Sequence, residues 1–97
     1  MPDPLQTFVR AVDAEDDVQA EEAATGLADV GDRALPALQD ILREPDPHKR
    51  WWGPRALAAV GTDAAIKLLI ETLDDPDPDV RACGVVALSQ LRPQEAI

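Results

Sequence analysis

The sequence predicts an all-α fold, a short α-solenoid of about six antiparallel helices, and three observations carry that prediction. Apolar residues recur at helical spacing: Leu35, Leu38, Ile41 and Leu42 fall at i, i+3, i+6 and i+7, and Ile66, Leu69, Ile70 and Leu73 at i, i+3, i+4 and i+7. The pattern also repeats. Glu44-Pro-Asp-Pro-His-Lys-Arg50 aligns with Asp75-Pro-Asp-Pro-Asp-Val-Arg81 at a spacing of 31, and Leu27-Ala-Asp-Val-Gly31 with Leu57-Ala-Ala-Val-Gly61 at a spacing of 30. Finally, apolar residues make up 45% of the 97-residue chain, yet it has two Trp, one Phe and no Tyr. Its core must therefore be aliphatic and rich in alanine, which suits closely packed helices better than a sheet.

Each element follows in order. The stretch Leu5-Gln-Thr-Phe-Val-Arg10 resembles Leu38-Gln-Asp-Ile-Leu-Arg43, so a helix over 4–12 reads as an orphan second helix. A helix over 16–30 ends before Gly31, where a left-handed residue after the last turn is expected. Next comes a helix over 33–43, capped by Asp32, with Pro36 tolerated in its first turn. Asp46 and Pro47 open a helix over 47–60 that closes at Gly61. Inside it, Pro54 removes one backbone hydrogen bond and costs ~3 kcal/mol in a straight helix, which predicts a kink or an effective start near Trp51. A helix over 63–73 follows, and Asp77 and Pro78 open the last, over 78–91. In that helix Val80, Gly84, Ala87, Leu88 and Leu91 form one stripe, small at its centre so that a neighbour can come close.

These helices divide one domain, 1–97, into the orphan helix, a repeat over 16–43, a repeat over 47–73 and a truncated repeat over 78–97. By the period, Pro93-Gln-Glu-Ala-Ile97 aligns with Thr62-Asp-Ala-Ala-Ile66, so the chain stops where another second helix should begin. Val85, Leu88 and Leu91 are then expected to be incompletely covered, and a weak twofold homodimer through that edge is the expected consequence.

The stretch from Asp77 to Leu88, Asp-Pro-Asp-Val-Arg-Ala-Cys-Gly-Val-Val-Ala-Leu, follows Leu73-Asp-Asp-Pro76 and resembles the signature of HEAT-like repeats of the phycobilisome-lyase type. The resemblance covers nearly the whole chain and fades at the N-terminus, where Gln19 and Ala20 stand in the place of a Val-Arg pair. It implies that Arg81, and by register Arg50, support the stack by pairing with acids of the turns. Asp75 and Asp77 are the expected partners of Arg81, and Asp46 that of Arg50. On this reading Arg81 should matter more to stability than Arg55. The resemblance also implies a second reading, a subunit or fragment of a bilin-lyase-like enzyme or ligand-binding protein.

Charge narrows the function. Nineteen acids against nine bases give −10, which counts against nucleic acid as the partner. The apolar runs are too short for a membrane span. The single Cys83 fits a reducing compartment, and a cytoplasmic location is expected. With one His and one Cys, no His-rich metal site can form, and the acidic clusters lack the spacing of a calcium loop. We therefore expect no catalytic site, metal or cofactor. One segment departs from the rest: His48-Lys-Arg-Trp-Trp-Gly-Pro-Arg55 holds both tryptophans and the only histidine. Residues 1–46 carry −9, residues 47–73 carry +2 and residues 74–97 carry −3, so the middle repeat is a cationic, aromatic band between acidic ones. Trp52 falls near the inward stripe and should be buried. Trp51 lies farther round, with Arg55 one turn on, the composition of an interface anchor. Trp51, Arg55, His48 and Lys49 are thus candidate partner-binding residues, joined by Lys67 and Glu71, which with Asp40 and Arg43 should point outward from the second helices. The function these features predict is non-enzymatic: a scaffold or adaptor that binds a protein through its repeat surface.

Overall fold

The computed structural model describes residues 3–91. Its helices are α1 (Pro4–Asp13), α2 (Asp17–Ala24), α3 (Leu27–Val30), a 3-10 turn (Gly31–Ala34), α4 (Leu35–Leu42), α5 (Pro47–Val60), α6 (Asp63–Thr72) and α7 (Pro78–Leu91). No strand occurs among the described residues. The first helices of the repeats, α2, α5 and α7, pack side by side in one layer, with α1, α4 and α6 behind them. This is the short all-α solenoid that the periodicity predicts.

Side-chain caps open five of these helices. Asp3, Asp16, Asp46 and Asp77 accept from the backbone N–H of Leu5, Gln19, His48 and Asp79, and Thr62 from that of Ala65, so each satisfies a donor that the first turn leaves unpaired. At the other end of α5, Gly61 takes the left-handed conformation (φ 69°, ψ 8°) and donates to the Leu57 carbonyl, as the sequence predicts.

Four local expectations are corrected. The helix expected over 16–30 breaks after Ala24: the Thr25 hydroxyl donates to the Glu22 carbonyl at 2.7 Å, and the Gly26 N–H turns back to Ala23. Both compete with regular helical bonding, and glycine is a poor helix former. Asp32 does not cap α4. The chain enters that helix through the 3-10 turn, and the Asp32 carboxylate instead accepts from the Thr62 hydroxyl of the next repeat. Gly31 has a positive φ of 65°, but its ψ of −146° is not that of a left-handed helical residue. Finally, α5 runs unbroken across Pro54 and starts at Pro47, not near Trp51. The Asp46 cap secures its first turn, and the Pro54 ring is fully buried, so apolar contact offsets the missing bond.

Every helix contributes to one core. Phe8, Leu27, Leu38, Leu57 and Leu69 are fully buried, and Trp52 is 2% exposed. Trp52 meets the edge of Phe8 at 6.1 Å between centroids and an interplanar angle of 80°, a pairing worth ~0.5–1.5 kcal/mol beyond area burial. It fills the space that so many alanines leave, as expected. Two glycines one repeat apart set how closely the layers approach. A Cβ at Gly53 would strike the Leu42 side chain at the end of α4, and one at Gly84 would strike Thr72 at the end of α6. The small centre of the α7 stripe therefore does admit a neighbour, and the neighbour is α6. At the outer side of α7, Val85 is 54% exposed while Leu88 and Leu91 pack partly buried against the core. The expectation for 93–97 lies outside the described residues.

This contact generates a prediction. Gly84→Ala adds helix propensity worth ~1 kcal/mol, but overpacking against buried Thr72 should cost ~1–3 kcal/mol, so denaturant melts should show net destabilisation. Because the Thr72 hydroxyl is the group in the way, Gly84→Ala should be better tolerated in a Thr72→Ala background. An identical cost in both backgrounds would mean that the close approach is not the constraint.

Candidate functional site

The Asp-Pro turns and the arginines that follow them fix where the first helices stand. Arg50, in the second turn of α5, is mostly buried: 13% of its side chain is exposed, against 10% for Asp75. Its Nε and Nη2 donate to the two carboxylate oxygens of Asp75 at 3.0 and 3.3 Å, and its Nη1 to the carbonyls of Glu44 and Pro45. Asp75 Oδ1 also accepts from the Asp77 N–H at 2.9 Å. The partner of Arg50 is therefore Asp75, one repeat on, and not Asp46, whose carboxylate is occupied by the His48 N–H. Arg81 is corrected likewise. It is exposed and reaches Asp75 through the backbone carbonyl, at 2.7 Å, because the Asp75 carboxylate belongs to Arg50. Asp77 is no ion-pair partner either, since its carboxylate caps α7 through Asp79 and Val80. The strong inter-repeat tie thus falls to Arg50.

The junction between the first two repeats is held differently. Where Arg50 and Arg81 stand in the later helices, α2 has the buried Ala20. Acids of α2 instead reach across to the cationic band of α5. Arg55 Nη1 donates to Glu21 Oε2 at 2.9 Å, and His48 Nε2 lies 3.3 Å from Asp17 Oδ1. Trp51 sits between these two pairs, one helical turn from each. The Arg55 guanidinium carbon lies 4.1 Å from its ring centroid, and the His48 ring is parallel to it within 5° at 6.2 Å. Trp51 is half-buried, its edge set against Trp52 at 5.0 Å. The sequence places Trp51, Arg55 and His48 together, and so does the structure. Lys49 turns away to Glu44, at 3.6 Å.

Across α5, between α2 and α7, runs a groove of about 580 Å³. Trp51, Trp52, Ala58 and Ala59 form its floor. Glu21, Ala24 and Thr25 line one side, and Asp79, Ala82, Cys83, Val86 and Ala87 the other. Val86 is 55% exposed, an apolar side chain left to solvent at the rim. Lys67 and Glu71 are not part of this surface. Glu71 lines a separate cleft of about 210 Å³ with Arg43 between α4 and α6, and Lys67 stands exposed on α6. The six candidates therefore divide between the two layers of helices. Missed by the sequence reading were Asp17 and Glu21, whose i, i+4 spacing on an acid-rich helix was the available signal, and Asp79 and Val86, which nothing short of the packing marks out.

Cys83 is half-buried on the α7 side of this groove. Burial pushes its thiol above the ordinary range; the Arg55 charge opposes this, the Asp79 carboxylate adds to it, and a hydrogen bond with Trp51 lowers it least. The protonated form is favoured near neutral pH, which suits a structural thiol and not a nucleophile. Alkylation by iodoacetamide should therefore accelerate at a higher pH than for a cysteine in an unstructured peptide, and an inflection below the peptide's would contradict this. Among the described residues no three His, Cys, Asp or Glu side chains gather in a way that could hold a metal ion. No described helix is long and apolar enough to cross a membrane.

The repeated helix pairs have their counterpart in known sequences: residues 3–89 match HEAT repeats. That match covers nearly the whole chain and is to HEAT repeats in general, without singling out the phycobilisome-lyase type. The chain belongs to the HEAT-repeat family.

Proposed function

We propose that this chain is a non-enzymatic protein-interaction module, a scaffold or adaptor that receives its partner in the groove across α5. HEAT repeats commonly mediate protein–protein interaction. The observation that carries the reading is the groove itself: an apolar floor of alanines and tryptophan, with Trp51 flanked by Arg55 and His48. A pre-oriented aromatic side chain loses little freedom on binding, which is why such residues anchor interfaces. The protonated state of Cys83 supports a binding role over covalent chemistry at this surface. A single free cysteine suits a reducing compartment, and we place the protein in the cytoplasm.

The volume of the groove also falls in the range of small-molecule pockets, so a bilin or similar ligand is the competing reading. A photo-crosslinking amino acid at Val86, in the groove, should capture a discrete protein in the source cell. The same group at Ile70, which is equally exposed on the other layer, should not. Equal capture at both positions would overturn the assignment of the groove. A stoichiometric spectral shift on titration with a bilin would replace protein binding with ligand binding.

A further inference from the structure

We infer that the groove across α5 takes a basic amphipathic helix of a partner protein, an inference that rests on the reading of the groove as a protein-binding surface. Shape points to a helix. The floor along α5 runs from Trp51 to Ala59, about 12 Å at ~1.5 Å per residue, or roughly two turns. Ala24, Ala58, Ala59, Ala82 and Ala87 line it, and such small side chains let another helix come close. No strand among the described residues offers an edge to an extended peptide, whereas an apolar trough between two helices suits the helix-in-groove mode.

Charge selects the sign of the partner. The cations of this region are already engaged by the chain's own acids: Arg55 by Glu21, Arg50 by Asp75 and Lys49 by Glu44. Asp79, on the opposite wall, has a carboxylate with no ion-pair partner among the described residues. The uncompensated charge at the rim is therefore negative, on a chain whose net charge is −10. An acidic partner would meet repulsion here, and so would a second copy of this chain. Basic side chains flanking an apolar face would instead find Asp79 while the apolar residues cover Trp51 and Val86. Opposite potentials of this kind speed association and exclude wrong partners.

The test uses the full chain and two synthetic amphipathic helices of about five turns. Both carry leucine at i, i+3, i+4 and i+7, one with lysine on the polar face and the other with glutamate. Binding is read by calorimetry and by indole emission, assigned with a Trp51→Phe variant. The lysine peptide should bind stoichiometrically and shift Trp51 emission, losing about tenfold in affinity between roughly 0.05 and 0.5 M salt. Val86→Lys should lose about tenfold, while Ile70→Lys, an equal change of charge at an equally exposed site on the other layer, should lose little. Binding of the glutamate peptide with the same sensitivity to Val86→Lys would keep the groove as a protein-binding surface and overturn the basic partner. Equal losses in Val86→Lys and Ile70→Lys would reduce the effect to general attraction and overturn the groove as well. Concentration-dependent sedimentation abolished by Val86→Lys would give the groove to a second copy. Failure of both peptides to bind would also sink the inference.

Discussion

The pairing of Arg50 with Asp75 is the interaction on which the later half of the structure depends. It joins the second turn of α5 to the turn that launches α7, across a mostly buried interface, with both carboxylate oxygens engaged. The same guanidinium holds the carbonyls of Glu44 and Pro45, so the Asp-Pro turns of successive repeats meet on one side chain. A bidentate, hydrogen-bonded pair of this kind has fixed geometry and little freedom. Asp75 in turn accepts from Asp77, whose carboxylate caps α7. A chain of polar contacts thus runs from α5 through the turn into the first residues of α7. With α7 so placed, Gly84 can meet Thr72, and Asp79, Ala82 and Val86 come to stand opposite α2 as the far wall of the groove.

The first junction shows what replaces such a tie. Ala20 fills the place of the arginine; Phe8 of the orphan helix packs on Trp52, and the first two repeats are tied at the surface by Arg55 with Glu21, His48 with Asp17 and Thr62 with Asp32. Exposed pairs add little stability, commonly ~0–1 kcal/mol each. Their larger effect is on position and charge. Arg55 and His48 flank Trp51, and the Arg55 charge that would otherwise mark this surface is met by Glu21. The segment that reads as a cationic band in the sequence has its charges met in the folded chain, Lys49 by Glu44, Arg50 by Asp75 and Arg55 by Glu21. The band and the acidic helix before it are two halves of one arrangement.

That distinction marks where sequence reasoning succeeds and where it stops. Helices were legible because their signals are local: apolar spacing at Leu35 to Leu42, caps at Asp46 and Asp77, a closing glycine at Gly61. The break at Thr25 and Gly26 was not, because apolar residues keep helical spacing from Ala20 through Ala24 to Leu27 and mask two competing backbone bonds. Register identified Arg50 and Arg81 as equivalents but could not say that only the first has a carboxylate to hold. Asp46 and Asp75 are both acids of Asp-Pro turns, and only the packing shows that one caps its own helix while the other accepts from the repeat before it. Trp51, Arg55 and His48 were legible as a cluster since they lie on successive turns of one helix. The groove was not, since its walls come from α2 and α7, more than fifty residues apart in sequence.

The claim that Arg50 and Asp75 hold the later repeats together is tested most directly by a double-mutant cycle on that pair, read by denaturant unfolding. Removing either partner leaves a mostly buried charge without its counterion, so each single variant, Arg50→Ala or Asp75→Ala, should cost about 3 kcal/mol or more. The double variant should cost less than their sum by more than about 1 kcal/mol. Arg81→Ala, which removes one exposed bond to a carbonyl, should cost no more than ~1 kcal/mol. Additivity of Arg50→Ala and Asp75→Ala within about 0.5 kcal/mol, or an effect of Arg81→Ala as large as that of Arg50→Ala, would contradict the account.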